Sequence, residues 1–467
     1  MTLITSISGI RGTIGGTAGE GLSPIDAQKY SLAYGVQLLE KFPKATVVIG
    51  RDARISGKII SDIVSSSLCS LGIDVIDLGL STTPTVEKSV KKLNAHGGII
   101  ITASHNPKEW NALKLLNEKG EFITDIEGKR IIELSNKVHE INFPSVDLLG
   151  TLSYNHDMIT NHIDEILSMR WVQTEAIKNK KLNIVVDGIN SSGGFVIPQL
   201  LRALGVENIT VLNEKADGHF AHNPEPLAKH LTQISEEVRN KKADMGIVVD
   251  PDVDRLCFVN EDGTMFGEEY TLVSVADYVL GIEKGNTVSN LSSTRALRDI
   301  TLKHAGEYHA AAVGEVNVVS KMKETHAIIG GEGNGGVIFP DSHYGRDALM
   351  GVALFLSYYS QKNMSMTAIK ASLPQYEMSK NKIELTPDIN VDTVISKIYA
   401  NYKDSESCNT IDGLKIDFSD SWVHLRKSNT EPIIRIYSEA NTEAQANALA
   451  ERFVHEIKNI ISPTSNS

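Results

Sequence analysis

A chain of 467 residues has room for about three domains of ordinary size. Its 41% hydrophobic and 22% charged residues exclude a disordered or fibrous protein and fit a globular one with ample core. The net charge of −12 argues against nucleic acid as a partner, because non-specific binding depends on neutralising phosphates. Positive charge for an anionic ligand must therefore be concentrated at one place.

The three cysteines, Cys69, Cys257 and Cys408, show no metal-ligand spacing, and their odd number argues against a disulfide framework. "MTLITSISGIRG" lacks a basic stretch followed by a long apolar one, so no signal peptide is expected. No run approaches the ~18 apolar residues of a membrane span. The expected setting is a reducing cytoplasm, with no membrane partner.

In chain order, Ser23-Pro24-Ile25-Asp26 predicts an N-cap, a proline in the first turn and an acid at N3, opening a helix that runs to about Phe42. "ATVVIG" from Ala45 reads as a buried strand ending in glycine. A helix carrying Ile59, Ile60, Ile63, Val64 and Leu68 follows, with Gly72 as its cap. "DVIDLG" is again strand-like. This βαβ rhythm implies a mostly parallel sheet covered on both faces. The segments from Lys44 and from Lys181 repeat a strand, a polar turn and a helix with glycine near its start, and a third such strand begins at Ala243. "CFVNEDGTMFG" predicts a hairpin about Glu261-Asp262-Gly263. After Pro374 the texture changes to strand, helix, strand, strand, helix. The expected architecture is α/β: three similar mixed-sheet domains over 1–150, 151–255 and 256–372, and a C-terminal α+β domain over 373–467.

Four stretches carry chemistry. In "ITASHNP" a buried strand stops abruptly at Ser104, beside His105, at the strand edge where ligands bind in open α/β sheets. Ser, His, Asn and Pro are also ordinary turn formers, and there is no Gly-x-Ser-x-Gly elbow. In "VVDPDVDR", Asp250, Asp252 and Asp254 repel one another unless a cation lies between them; hard oxygen ligands on a short turn suit Mg2+. Arg255 follows them. "GGEGNGG" formally matches a dinucleotide fingerprint, but the following "VIFPD" reads as a strand and not a helix. A loop offering Glu332 and Asn334 suits a ligand with several hydroxyls. In "RKSNTEPIIR", Arg426, Ser428, Asn429 and Thr430 crowd one turn, which is what a phosphate oxyanion asks for, with Arg435 on the next strand. A nucleophile, a divalent cation, a hydroxyl-reading loop and a phosphate clamp together fit phosphoryl transfer on a phosphosugar.

The ordered quartet "TASHNP", "DPDVDR", "GEGNGG" and "RKSNTEP" resembles the α-D-phosphohexomutase superfamily over essentially the whole chain. The resemblance implies four domains around a central cleft. It implies that Ser104 is a phosphoserine and a modified residue. Mg2+ would be held by Asp250, Asp252, Asp254 and the phosphoserine. Arg11 of "SGIRGTIGG" matches an arginine near the serine, and Lys114 matches a candidate general acid/base, with His105 beside it. Glu332 and Asn334 match the sugar-reading loop, and Arg426, Ser428, Asn429, Thr430 and Arg435 the phosphate-binding set. Many members carry His at the end of the sugar loop, where this chain has Gly336. The implied reaction takes a hexose or hexosamine monophosphate through a 1,6-bisphosphate, which is both intermediate and activator.

"GEGNGG" and "SGIRGTIGG" are most similar to phosphoglucosamine mutases, whose product feeds UDP-N-acetylglucosamine. Phosphomannomutase or phosphoglucomutase is the alternative. A non-catalytic sugar-phosphate binding protein is disfavoured by the intact serine and aspartates. A phosphatase using Asp250 as nucleophile is the rival from another enzyme class.

Overall fold

The computed structural model describes residues 2–6, 9–386, 389–427 and 433–461. Ser428, Asn429 and Thr430 lie outside the described residues. The chain divides into two compact units, one of Met1–Val279 with Asn334–Lys370 and one of Leu280–Gly333 with Ala371–Ser467.

The first unit holds two sheets. In the first, seven strands run in the order Ile4–Ser6, Gly9–Thr13, Trp110–Leu116, Gly97–Ile101, Thr46–Arg51, Asp74–Leu80 and Leu152–Tyr154. The last four are mutually parallel, while Trp110–Leu116 runs antiparallel to its neighbours. The period-2 geometry of a strand splits its core in two. Val47, Ile49, Ile99 and Ile101 enter one apolar cluster, and Val48 and Ile100 enter the other. The helix Pro24–Lys41 begins as its sequence predicts, with Ser23 and Asp26 closing a capping box and Pro24 in the first turn.

The second sheet orders Leu256–Val259, Met245–Val249, Asn183–Asp187 and Asn208–Leu212, with Leu256–Val259 as its antiparallel member. Pairing carries the first sheet to Tyr154 and the second to Val259, a few residues past the expected divisions at 150 and 255. Edge-strand hydrogen bonds, which composition does not report, decide this.

The second unit contains the parallel strands Tyr308–Ala311, Asn286–Asn290 and Ala327–Glu332. It also contains an antiparallel sheet ordered Glu377–Glu384, Ile433–Ala440, Trp422–Lys427, Leu414–Asp417 and Ser407–Asn409. Helices Val391–Tyr402 and Glu443–Ile461 supply Val394, Ile398, Phe453 and Ile457 to its core. The C-terminal region thus has five strands where the sequence pattern suggests three; the short pieces Ser407–Asn409 and Leu414–Asp417 are too brief to show a period. The fold is α/β with a C-terminal α+β domain. No helix among the described residues is long and apolar enough to cross a membrane.

Candidate active site

Strand Gly97–Ile101 is buried along its whole length and ends in the middle of the first sheet. The chain then turns through Ser104 and returns as Trp110–Leu116. Ser104 has φ +47°, a left-handed conformation that non-glycine residues seldom adopt. Its neighbours hold it there. The Ser104 N–H donates to Thr102 Oγ1 at 2.9 Å. The buried guanidinium of Arg54 donates to the carbonyls of Ser104, Asn106, Pro107 and Trp110. Arg11, on strand Gly9–Thr13, donates from Nη1 to Asn106 Oδ1 at 3.1 Å.

The strained turn points the hydroxyl at the second sheet. Ser104 Oγ donates to Asp250 Oδ2 at 2.7 Å. His105 Nδ1 lies 3.4 Å from Ser104 Oγ. Burial, then the charges of Arg255 and Arg11, push the imidazole well below its ordinary range, so His105 is neutral.

Asp250 follows strand Met245–Val249 directly, and the chain turns tightly with Val253 at φ +61°. Three contacts pin this turn. Ser191 Oγ donates to Pro251 O at 2.7 Å. The first residue of helix Thr83–Lys92 donates its N–H to Asp252 O at 2.9 Å, and the first residue of helix Ala348–Gln361 donates its N–H to Val253 O at 3.3 Å. Helix N-termini carry partial positive charge and suit an acidic turn. The turn is not extended; it draws one oxygen of each aspartate within 4.8 Å of the others.

The oxygens divide sharply. Asp250 Oδ1 accepts the N–H groups of Asp254 and Arg255, and its Oδ2 accepts Ser104. Asp252 Oδ2 accepts Lys114 Nζ and Thr83 Oγ1, each at 2.6 Å. Asp254 Oδ2 accepts Arg346 Nη2 at 2.7 Å. Asp252 Oδ1 and Asp254 Oδ1 are buried with no hydrogen-bond partner. A bare buried carboxylate oxygen is costly to leave unmatched. Two of them beside a third carboxylate fit a hard divalent cation such as Mg2+.

Charges around the triad agree with this. Burial, then Asp254 and Asp252, push Asp250 well above the usual carboxylate range. Burial acts the same way on Asp252, but the Lys114 ammonium and the hydrogen bonds from Lys114 and Thr83 together hold that group below the usual range. Burial works against the charge of Lys114, and Asp252 and Asp254 more than restore it. Lys114 is therefore a buried ammonium, not a surface charge.

Of the sequence-derived residues, the first unit brings together Ser104, His105, Arg11, Lys114 and the three aspartates. It also contains Asn334, whose Oδ1 accepts the N–H of Gly336 at 3.1 Å. Glu332, Arg426 and Arg435 belong to the second unit. Glu332 is buried at the end of its strand, where Oε1 accepts Asn290 Nδ2 at 2.9 Å. Arg426 and Arg435 are directly paired across neighbouring strands.

Sequence reasoning missed Arg54, Thr83 and Arg346. Arg54 had one signal, the "RDAR" just after a buried strand at the ligand-binding end of a sheet. Arg346 had none, because only the fold brings it to Asp254. It also accounts for Gly336. A Cβ at 336 would lie 2.3 Å from Arg346 Cδ, so the arginine fills the space a side chain there would need. Gly336→Ala is expected to swing Arg346 off Asp254 and lower kcat/KM by about tenfold or more, the loss expected for one charge-assisted hydrogen bond. Steady-state kinetics over a Mg2+ titration check this, and an unchanged profile would count against the packing argument.

Comparison with known proteins agrees with this geometry. The four phosphoglucomutase/phosphomannomutase domain models match in order: alpha/beta/alpha domain I at residues 3–142, domain II at 160–263, domain III at 267–376, and the C-terminal domain at 380–456. A phosphoglucomutase/phosphomannomutase of Thermococcus kodakarensis is 36% identical over 449 residues, covering 94% of this chain and 96% of its own. A phosphoglucosamine/phosphogalactosamine mutase of Sulfurisphaera tokodaii is 33% identical over 425 residues, covering 89% and 91%. A crystal structure of a phosphoglucomutase/phosphomannomutase family protein from Burkholderia thailandensis superposes with TM-score 0.83 at 25% identity, covering 97% of this chain and 98% of that one. With all four domain models matched in sequence order around a serine–aspartate site of this kind, the chain belongs to the phosphoglucomutase/phosphomannomutase family of α-D-phosphohexomutases.

Proposed function

We propose that this phosphohexomutase interconverts glucosamine 6-phosphate and glucosamine 1-phosphate, with Ser104 as the phosphoryl carrier. The observation that carries the reading is the 2.7 Å hydrogen bond from Ser104 Oγ to Asp250, inside a triad whose other two members each keep a bare buried oxygen. Asp250, Asp252 and Asp254 would hold Mg2+, which would supply charge neutralisation to the phosphoryl oxygens.

The chain's own residues do the rest. Phosphorylated Ser104 gives its phosphoryl group to O1 or O6 of the bound sugar monophosphate. The P–O bond to Oγ breaks as the new one forms, and a hexosamine 1,6-bisphosphate results. The sugar hydroxyl loses a proton, and Ser104 Oγ regains one, ending in its hydrogen bond to Asp250. Lys114, with His105 beside the serine, is the group assigned to these proton transfers. The bisphosphate then turns over and returns its other phosphate to Ser104. Glu332 and Asn334 would read the sugar hydroxyls in both orientations. Arg426, Arg435 and the Ser428–Thr430 turn would hold the phosphate that is not reacting.

The relatives' names support two substrate classes, glucosamine or galactosamine phosphates in one and glucose or mannose phosphates in the other. A coupled assay with glucosamine, mannose and glucose 6-phosphates, each with its 1,6-bisphosphate and Mg2+, separates them. The highest kcat/KM is expected with glucosamine 6-phosphate. A clear preference for the mannose or glucose compound would assign the alternative activity. Binding without turnover of any would leave a sugar-phosphate binding protein.

A further inference from the structure

Strands Trp422–Lys427 and Ile433–Ala440 pair in register so that Arg426 stands opposite Arg435. Directly paired residues project from one face of a sheet, and like charges there repel. Among the described residues one carboxylate stands against the pair. Asp412 Oδ2 is 2.8 Å from Arg426 Nε. The N–H is not aimed at that oxygen, so the contact is an ion pair without a well-formed hydrogen bond.

Asp412 is not a loose surface acid. It lies in the turn between Ser407–Asn409 and Leu414–Asp417, followed by Gly413 at φ +75°. A Cβ on Gly413 would lie 2.2 Å from Leu425 O, so only glycine lets this turn close on the neighbouring strand. The Asp412 carbonyl accepts His424 Nε2 at 2.7 Å, and His424 Nδ1 bonds Ser292 Oγ at 2.9 Å. Burial pushes this imidazole down to about 4, so it is neutral, with the proton on Nε2 and Nδ1 accepting. The side chain is fixed as well, because Asp412 Oδ2 accepts the Val313 N–H at 3.0 Å. The next residue, Gly314 at φ +113°, donates its N–H to Glu332 Oε1 at 3.2 Å. A continuous path therefore runs from Arg426 through Asp412 and the Val313–Gly314 peptide to Glu332.

We propose that Asp412 is a positioning residue for Arg426, and that the Val313–Gly314 turn ties the phosphate-facing arginine to the sugar-facing glutamate. The inference rests on reading Arg426 as a phosphate ligand. An ion pair at Nε restrains the side chain while leaving the two terminal nitrogens for a phosphate, which a guanidinium grips with paired donors. The shared turn means that an arginine pulled toward phosphate displaces the backbone that holds Glu332.

The test uses the full chain with three variants, and inorganic phosphate as a competitive probe. Asp412→Asn keeps an acceptor for Val313 but removes the charge. It is expected to raise the phosphate Ki and the KM for the sugar phosphate together, about tenfold, as the loss of one charged contact would. Its kcat should stay within a few-fold of wild type and its Tm should not move. A purely structural aspartate would lower Tm and leave both constants alone. Arg426→Gln separates the two layers. If it raises both constants and Asp412→Asn raises neither, the positioning role is overturned. If Arg426→Gln raises neither, the phosphate reading fails and the inference falls with it. In Asp412→Ala, hydrogen exchange is expected to speed up at both Val313 and Gly314; acceleration at Val313 alone would sever the link to Glu332.

Discussion

Ser104→Ala is expected to abolish mutase turnover, by at least roughly 10⁴-fold as for loss of a covalent nucleophile, and to abolish phosphate incorporation from labelled hexose 1,6-bisphosphate. The variant should fold, because the turn is held from its backbone by Thr102 and Arg54 and the hydroxyl is not one of those supports. Its one strong contact is the donation to Asp250. The same contact weighs against the aspartyl-phosphatase alternative. Asp250 Oδ1 accepts two backbone N–H groups and Oδ2 the serine, so both oxygens are already engaged. The chemical stability of the label gives an independent check. A serine phosphate survives acid and neutral hydroxylamine, whereas an acyl phosphate on Asp250 is lost to both. Normal turnover in Ser104→Ala, or a label in the wild type that is lost in acid or to hydroxylamine, would sink the assignment.

What the sequence made legible has a physical pattern. The helix at Pro24 was readable because a capping box is a local device, complete within four residues. Ser104 and the aspartate turn were readable because each interrupts a buried strand with polar residues that a mere turn does not require. What the sequence could not show is how these residues meet. Lys114 looks like any lysine until the fold lays it on Asp252, 138 positions away. Arg346 reaches Asp254 across 92 positions, and the glycine at 336 makes sense only once that arginine occupies its space. The bare oxygens of Asp252 and Asp254 could be anticipated as residues. Which atom of each would be left unmatched could not, because that depends on where Thr83, Lys114 and Arg346 arrive. The two short strands of the C-terminal sheet went unseen for a different reason, since three or four residues carry too little pattern to read.

Replacing Arg54 is expected to have the second large effect, although this side chain is fully enclosed and need touch no substrate. All five of its N–H donors are used. Nε pairs with Asp52 at 3.0 Å, and the four others bind carbonyls spread over the turn from Ser104 to Trp110. Thr102 Oγ1 also donates to Asp52, so the pair braces the residue that holds the Ser104 N–H. Phe220 covers the guanidinium at 5.1 Å. Gly218, at φ +74°, lets that covering loop approach, since a Cβ there would lie 2.3 Å from Ala53 O. Arg54→Met leaves a buried carboxylate without its partner and should cost about 3–5 kcal/mol. Arg54→Lys is the sharper probe. A lysine can answer Asp52 or one carbonyl, but it cannot span the turn, because an ammonium lacks the planar fork. The strained φ of Ser104 would then relax, and a nucleophile displaced by about 1 Å loses roughly 10²-fold in rate. The expected result is a folded Arg54→Lys protein in which phosphorylation of Ser104 by hexose 1,6-bisphosphate and mutase kcat fall together. Mg2+ binding should be largely kept, because the aspartate turn is pinned separately by Ser191, Thr83 and Ala348. Wild-type kcat/KM in Arg54→Lys would show that the turn holds its shape without the fork, and that Ser104 owes its orientation to Thr102 and Asp250 alone.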